Sequence, residues 1–187
     1  MAEGVEILLV RHGQTGFNAE GRFLGRSDPP LDEVGLAEAE ALARGWAYGE
    51  WDRLLCSPLV RAVQTAAPLG EADLDPRLAE VDHGELEGLR PEEAIPRFPE
   101  LFSQWRVDPE GVLLPGGESL PQAAERALDC VKEAVAAAGV RRVVFVSHQL
   151  TLASVCCRLA GLPLREWRAH RFAHCEVRRL VLPRPGG

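Results

Sequence analysis

The chain has 187 residues, 46% of them hydrophobic, and a formal net charge of −7, which suits one core of the size usual for a single domain. That acidic balance argues against non-specific nucleic-acid binding, which needs basic surface to neutralise phosphates. The longest aliphatic runs, residues 7–10 and 143–146, fall far short of the roughly 20 residues needed to cross a bilayer. The opening Met-Ala-Glu-Gly-Val-Glu is acidic where a secretory signal would be basic, so a cytoplasmic protein with neither nucleic-acid nor membrane partners is expected.

In chain order, residues 5–10 are too short and too continuously apolar for an amphipathic helix and read as a strand buried on both faces. Residues 32–47 read as a helix with Leu36, Ala39, Leu42, Ala43 and Trp46 on one stripe. Residues 53–56 form a second short strand, and Ser57 followed by Pro58 predicts an N-cap and first helical position for a helix to about Leu69. Residues 76–117 contain Pro91, Pro96, Pro99, Pro109 and Pro115, and are taken as an insertion with short helices that roofs a site. Ser119 and Gln122 form a capping box for a helix to about Ala138. Strand 142–146, helix 151–159 and strand 176–182 complete the chain before its Pro-Arg-Pro-Gly-Gly end.

Strands alternating with helices predict an α/β fold, a three-layer αβα sandwich with a mostly parallel central sheet, in one domain over residues 1–187. In such sheets ligands gather at the carboxyl ends of strands. Two of the strands run into a histidine there, as Arg11-His12 and Ser147-His148, and a third runs into Ser57 ahead of Arg61. A histidine beside an arginine and before a glycine that permits close backbone approach suits nucleophilic attack on an anionic group, with neutral imidazole as the nucleophile. The rest of such a reaction is electrostatic positioning by Arg11, Arg61, His148 and the amide of Asn18, with backbone N–H groups near Gln149. Asn18 is the only asparagine in the chain, and its retention beside this segment points to a role. Loss of an alcohol needs a proton donor, for which Glu80, Asp82, Glu85 and Glu87 are all candidates.

The other polar residues carry weaker signals. His83, His170 and His174 read as structural; His170 and His174 lie four apart, but no third ligand accompanies them, so no metal is expected. Arg22 and Arg26 read as loop charges that steer an anion into an acidic protein. The tryptophans Trp46, Trp51, Trp105 and Trp167 are assigned to packing. Cys56, Cys130, Cys156, Cys157 and Cys175 are odd in number and form no Cys-x-x-Cys pair, so reduced thiols are expected.

The segment LLVRHGQTGFNAEGRFLGRSDPPL, followed in order by CSPLVRAVQTA, LAEVDHGELEG, PGGESLPQAAERAL and VVFVSHQLTL, resembles the histidine phosphatase superfamily, which contains cofactor-dependent phosphoglycerate mutases and many phosphomonoesterases. The resemblance implies that His12 is the phospho-accepting nucleophile. It implies that Arg11, Arg61 and His148 form the phosphate pocket with help from Asn18, and that Glu80, at the Leu-x-Glu position, is the proton donor. It further implies a small phosphomonoester as substrate, with no metal and no cofactor. The family usually has glycine where this chain has Gln149, a side chain able to contact substrate, although its backbone N–H is still expected to face the phosphate.

Hydrolysis is the expected outcome, because the chain is shorter than the familiar mutases and stops soon after Leu182. The alternatives are a cofactor-dependent phosphoglycerate mutase, an α-ribazole 5′-phosphate phosphatase of cobalamin synthesis, and a non-catalytic binder. The last is disfavoured because neither nucleophile nor acid is missing. Oligomeric state is left open, a homo-oligomer included.

Overall fold

The computed structural model describes residues 4–184 and builds them around one five-stranded sheet. Its strands are β1 (Val5–Arg11), β2 (Arg53–Cys56), β3 (Asp73–Leu74), β4 (Arg142–Ser147) and β5 (Val177–Leu182), in the spatial order β3-β2-β4-β1-β5. β1, β2 and β3 join β4 in a parallel arrangement, and β5 closes the β1 edge antiparallel. The helices are α1 (Gly16–Ala19), α2 (Glu33–Arg44), α3 (Val60–Ala66), α4 (Pro91–Arg97), α5 (Pro99–Val107), α6 (Leu120–Ala136) and α7 (Gln149–Leu159).

The central strands are buried on both faces, which is why they read as unbroken apolar runs. Val5, Ile7, Leu9, Val143 and Phe145 pack against Val131 of α6 and Leu152 and Val155 of α7. The alternate residues Leu8, Val10, Val144 and Val146 pack with Ala62 and Ala66 of α3, against which Leu42 of α2 also leans. Period-two alternation thus assigns successive side chains of one strand to two helical layers, and the result is a three-layer α/β sandwich. A third apolar cluster joins Val81, Leu86, Ala94, Val112 and Leu114 to Leu120 and Ala123 of α6 and Ala153 and Cys157 of α7. No helix among the described residues is long and apolar enough to cross a membrane. Cys56, Cys130, Cys156, Cys157 and Cys175 are all free, and burial pushes the Cys56 thiol up to about 12.

Several local expectations need correction. Ser57 does not cap α3: that helix starts at Val60 after Leu59, with no side-chain cap, and ends at Ala66 rather than near Leu69. Its first N–H is taken instead by Asp28 Oδ1 at 2.7 Å, while the Ser57 hydroxyl is drawn to His148. A distant carboxylate has replaced the local cap. α2 stops at Arg44, short of Trp46, and it buries Gly35 and Ala39 whereas Leu36 is 44% exposed. The Trp46 ring packs edge-on with Tyr48 and Trp51 beyond the helix. α7 begins at Gln149, two residues earlier than the periodicity suggested, because His148 already has extended cap geometry. The final Pro-Arg-Pro-Gly-Gly lies largely outside the described residues. The capping box is present, with Gln122 N–H donating to Ser119 Oγ at 3.3 Å and Ser119 N–H to Gln122 Oε1 at 2.8 Å.

Parallel pairing of β1 and β4 brings their carboxyl ends level: Arg11 is opposite Ser147, and the His12 N–H donates to Ser147 O at 3.0 Å. The chain leaves β1 under a tight constraint from α2. A Cβ on Gly35 would lie 2.0 Å from Gln14 O, and one on Gly13 would lie 2.7 Å from Gly35 O. Both contacts are with backbone, which cannot rotate away. Gly35→Ala is therefore expected to cost about 1–3 kcal/mol, the range for overpacking a close contact, measured as a lower midpoint in urea unfolding; an unchanged midpoint would show that the α2 backbone yields.

Candidate active site

Five segments converge at the carboxyl ends of β1, β2 and β4. His12 is buried and its Nδ1 lies 2.7 Å from Gly13 O. A carbonyl only accepts, so Nδ1 carries the hydrogen and Nε2 keeps its lone pair. Burial, reinforced by the positive charges of Arg61 and Arg11, holds the His12 pKa well below the usual imidazole range, so the ring is neutral at pH 7. The Gly13 N–H donates to Thr65 Oγ1 at 3.0 Å, and that hydroxyl donates to Arg61 O at 2.7 Å, which ties the loop carrying His12 to α3.

Behind His12 stands His148, with ring centroids 5.0 Å apart. Arg61 Nε donates to His148 Nδ1 at 3.2 Å, so the proton of His148 sits on Nε2, which faces Ser57 Oγ at 2.7 Å. Burial, then Arg61 and His12, hold the His148 pKa well down too. Arg61 is wholly buried; its other nitrogens donate to Ser27 O at 2.8 Å and Gly25 O at 2.7 Å. The loop supplying those carbonyls is shaped by Glu87, whose carboxylate accepts the N–H groups of Gly25, Arg26 and Ser27. Burial alone would push the Glu87 carboxyl up, but the bonds from Gly25 and Arg26 overcome it and hold the group below the usual carboxylate range. Glu87 is thus engaged with backbone.

Glu80 is also buried, against the start of α7. Its Oε1 accepts from Val81 N, Thr151 N and Thr151 Oγ1, each at 3.0 Å, and its Oε2 accepts from Leu150 N at 3.1 Å. The N-terminal N–H groups of α7 therefore point at Glu80, and the Gln149 N–H is without a protein acceptor among the described residues. The remaining acidic candidates stand apart: Asp82 Oδ1 accepts from Gly84 N at 2.9 Å, and Glu85 is exposed. Asn18 closes a capping box in which its Oδ1 accepts from Thr15 N and Thr15 Oγ1, at 3.2 and 3.0 Å. Its Nδ2 is left as a donor at the site. Arg11 donates to Phe172 O at 2.8 Å, and its buried Nε has no partner.

These groups edge a cavity of about 300 Å³. Arg11, His12, Asn18, Glu80 and Gln149 line it, whereas Arg61 and His148 do not reach its surface and lie buried behind His12. Arg22 also lines it, held by Glu20 and by Gly88 O; Arg26 pairs with Glu118 at 3.8 Å. No group of three or more potential metal ligands occurs among the described residues. His174 approaches His12, with ring centroids 6.2 Å apart.

Sequence reasoning missed an apolar wall. Phe23, Leu101, Phe102, Trp105, Leu114 and Trp167 line the same cavity, as does His83, whose ring meets Phe23 edge-on at 5.8 Å. Trp105 and Trp167 were assigned to packing. The available signal was the spacing of Leu101, Phe102 and Trp105, which puts all three on one face of a short helix bounded by prolines.

The family model for the histidine phosphatase superfamily, branch 1, matches residues 7–186, and the chain belongs to that superfamily. It is 32% identical over 190 residues to phosphoserine phosphatase 1 of Hydrogenobacter thermophilus, covering 95% of this chain and 90% of that protein. It is 34% identical over 184 residues to the probable phosphoglycerate mutase GpmB of Yersinia pestis, covering 94% and 84%. The solved structure of mycobacterial glucosyl-3-phosphoglycerate phosphatase in complex with VO3 superposes with a TM-score of 0.84 at 28% identity, covering 96% of this chain and 98% of that one. The relatives are phosphatases and mutases, so a small phosphorylated substrate follows.

His12 and His148 have folded-state pKa values below the unfolded value of about 6.5, so the unfolded chain binds the extra protons first as pH falls. Stability contributed by the neutral rings is full above that value and is lost below it, at up to about 1.4 kcal/mol per pH unit for each ring. Urea unfolding in phosphate-free buffer is expected to show stability falling from pH 7 to pH 5, with a shallower fall in His148→Asn. Equal slopes for the two proteins would contradict the neutral assignment of His148.

Proposed function

We propose that this member of the histidine phosphatase superfamily hydrolyses a small phosphomonoester through a phosphohistidine formed on His12. The observation that carries the reading is the orientation of His12: its Nδ1–H is committed to Gly13 O, so the lone pair of Nε2 is available at the cavity. A phosphoryl group there offsets the positive charge of Arg11 beside it and Arg61 behind it. No carboxylate lies closer to Arg61 than Asp28, at 3.9 Å, among the described residues.

In the first half-reaction, His12 Nε2 attacks phosphorus in line with the ester oxygen. The P–N bond forms, the P–O bond to the alcohol breaks, and the leaving oxygen takes a proton from the Glu80 carboxyl. In the second, water attacks phosphorus and yields its proton to Glu80. The P–N bond breaks, and inorganic phosphate leaves with His12 neutral again. Arg11 and the Asn18 amide act as donors to the equatorial oxygens, joined by the Gln149 N–H. His148, buried behind His12, gives its Nε2–H to Ser57 and accepts from Arg61, whose guanidinium it orients. Such donors, fixed before the reaction begins, stabilise developing charge without reorganisation. No metal or cofactor enters these steps.

Similarity to a protein called a probable phosphoglycerate mutase favours a second reading, in which His12 passes its phosphoryl group to another alcohol instead of water. The two readings share the first half-reaction and divide at the second. Incubation with 3-phosphoglycerate and a bisphosphoglycerate primer separates them: rapid isomerisation with little free phosphate supports the mutase, and phosphate release without isomerisation supports the hydrolase.

His12→Ala is expected to abolish turnover and to prevent acid-labile labelling of the protein by a radioactive phosphoester; labelling retained in that variant would move the nucleophile elsewhere. Glu80→Gln is expected to lower kcat for an alkyl phosphate by about 10²–10⁴, the usual contribution of a general acid. Its effect on the phosphorylation step with 4-nitrophenyl phosphate should be smaller, since 4-nitrophenolate leaves without a proton, and labelled enzyme should then accumulate. Equal loss with both esters in that step would take the proton-donor role from Glu80.

A further inference from the structure

The apolar wall of the cavity has no part in phosphoryl transfer as such. Helix α5 has no fully buried residue: the face carrying Leu101, Phe102 and Trp105 packs in part on the cluster around Leu86 and Ala94, and the rest of that surface lines the cavity. An amphipathic helix that buried this face completely would leave no such surface for a ligand. Phe23 extends the same surface, its ring 5.8 Å from Phe102. Ring-sized apolar surface left at the edge of a catalytic cavity is surface that a ligand can remove from water.

The polar groups on this wall point the same way. Trp167 is 7% exposed and lines the cavity, yet its indole Nε1–H has no hydrogen-bond partner. Gln149 Nε2 is likewise buried without a partner. Both are neutral donors. Arg168 and Arg171 stack on the Trp167 ring at 4.8 and 5.5 Å from its centroid, which holds the indole plane in place. Cations that would grip a carboxylate are less well placed. Arg22 is taken by Glu20 and Gly88 O, and Arg171 is exposed at the rim.

Resting on the phosphatase reading above, we infer that the alcohol half of the substrate is an uncharged, flat, ring-bearing group. It stacks against Phe102 and Trp105 and places an oxygen or ring nitrogen on the Trp167 Nε1–H. A three-carbon hydroxy acid such as glycerate or serine would leave both the aromatic face and the indole N–H unused.

The test compares KM for 1-naphthyl phosphate and 4-methylumbelliferyl phosphate with that for phosphoserine and 3-phosphoglycerate, since kcat also reflects that an aryl oxide leaves more readily than an alkoxide. The aryl esters are expected to have KM values lower than those of the acids by about tenfold or more, as burial of one ring would give. Phe102→Ala and Trp105→Ala, at partly buried positions packed on the cluster beneath α5, should each raise KM for 1-naphthyl phosphate by about tenfold in protein whose unfolding midpoint shows it to be folded at the assay temperature. The inhibition constant of inorganic phosphate should stay within about twofold in both, since that ion does not reach the wall. Trp167→Phe keeps a ring and removes the N–H, so it should selectively reduce turnover of the umbelliferyl ester, which carries a carbonyl acceptor, relative to the naphthyl ester. A KM for phosphoserine or 3-phosphoglycerate equal to or below that for the aryl esters would overturn this inference and leave the hydrolase reading standing, and an unchanged ester ratio in Trp167→Phe would overturn the acceptor. No phosphate from any of the four esters, together with no label on His12, would overturn the hydrolase reading beneath it.

Discussion

The Arg61 guanidinium is wholly buried, and its nearest carboxylate is 3.9 Å away at Asp28. A charge in that position costs several kcal/mol unless other groups compensate it, and the compensation organises this end of the molecule. The carbonyls of Gly25 and Ser27 turn inward to Arg61, and His148 Nδ1 accepts from it, which sets the tautomer of that ring. The carbonyls can turn inward because Glu87, 60 residues or more along the chain, has gathered the N–H groups of the same loop. One carboxylate thereby positions a cation it does not touch. Remaining positive field falls on His12, where it adds to burial in keeping the imidazole neutral and favours an anion in front of it.

A similar division of labour holds for Glu80 and Glu87. Glu80 receives the first N–H groups of α7, and Glu87 receives those of the loop at residues 25–27. Both carboxylates occupy concentrations of backbone donors. Only Glu80 also lines the cavity. Location relative to the open space, rather than acidity of the local sequence, separates a group able to exchange protons with substrate from one that holds a loop.

The cavity joins two chemistries that come from different parts of the architecture. Its polar side is the product of the sheet, since parallel β1 and β4 end at the same level and deliver Arg11, His12 and Gln149 together. Its apolar side comes from α5 and from Phe23 and Trp167, which rest on a cluster separate from those under the sheet. The polar side can therefore stay constant while the apolar side varies with the segment that contains α5. Relatives whose names specify phosphoserine, glucosyl-3-phosphoglycerate and phosphoglycerate chemistry on one fold are consistent with that separation.

The unbroken runs at residues 5–10 and 142–146, the capping box at Ser119 and the Arg-His-Gly placement were legible in the linear chain because each depends on neighbours within a few positions. Local rules misled at Ser57, where the hydroxyl was claimed by His148 and the helix N–H by Asp28, and at Leu36, whose stripe turned outward because Gly35 had to meet Gln14. By itself the sequence determined the α/β alternation and the superfamily, and it singled out His12 as the histidine to propose as nucleophile. Only the tertiary structure decided which imidazole nitrogen carries a proton, which of four nearby carboxyls faces the cavity, and that Phe23, Phe102, Trp105 and Trp167 form one wall. Those outcomes follow from hydrogen bonds and contacts between residues far apart in the chain, and such pairings leave no periodic trace along it.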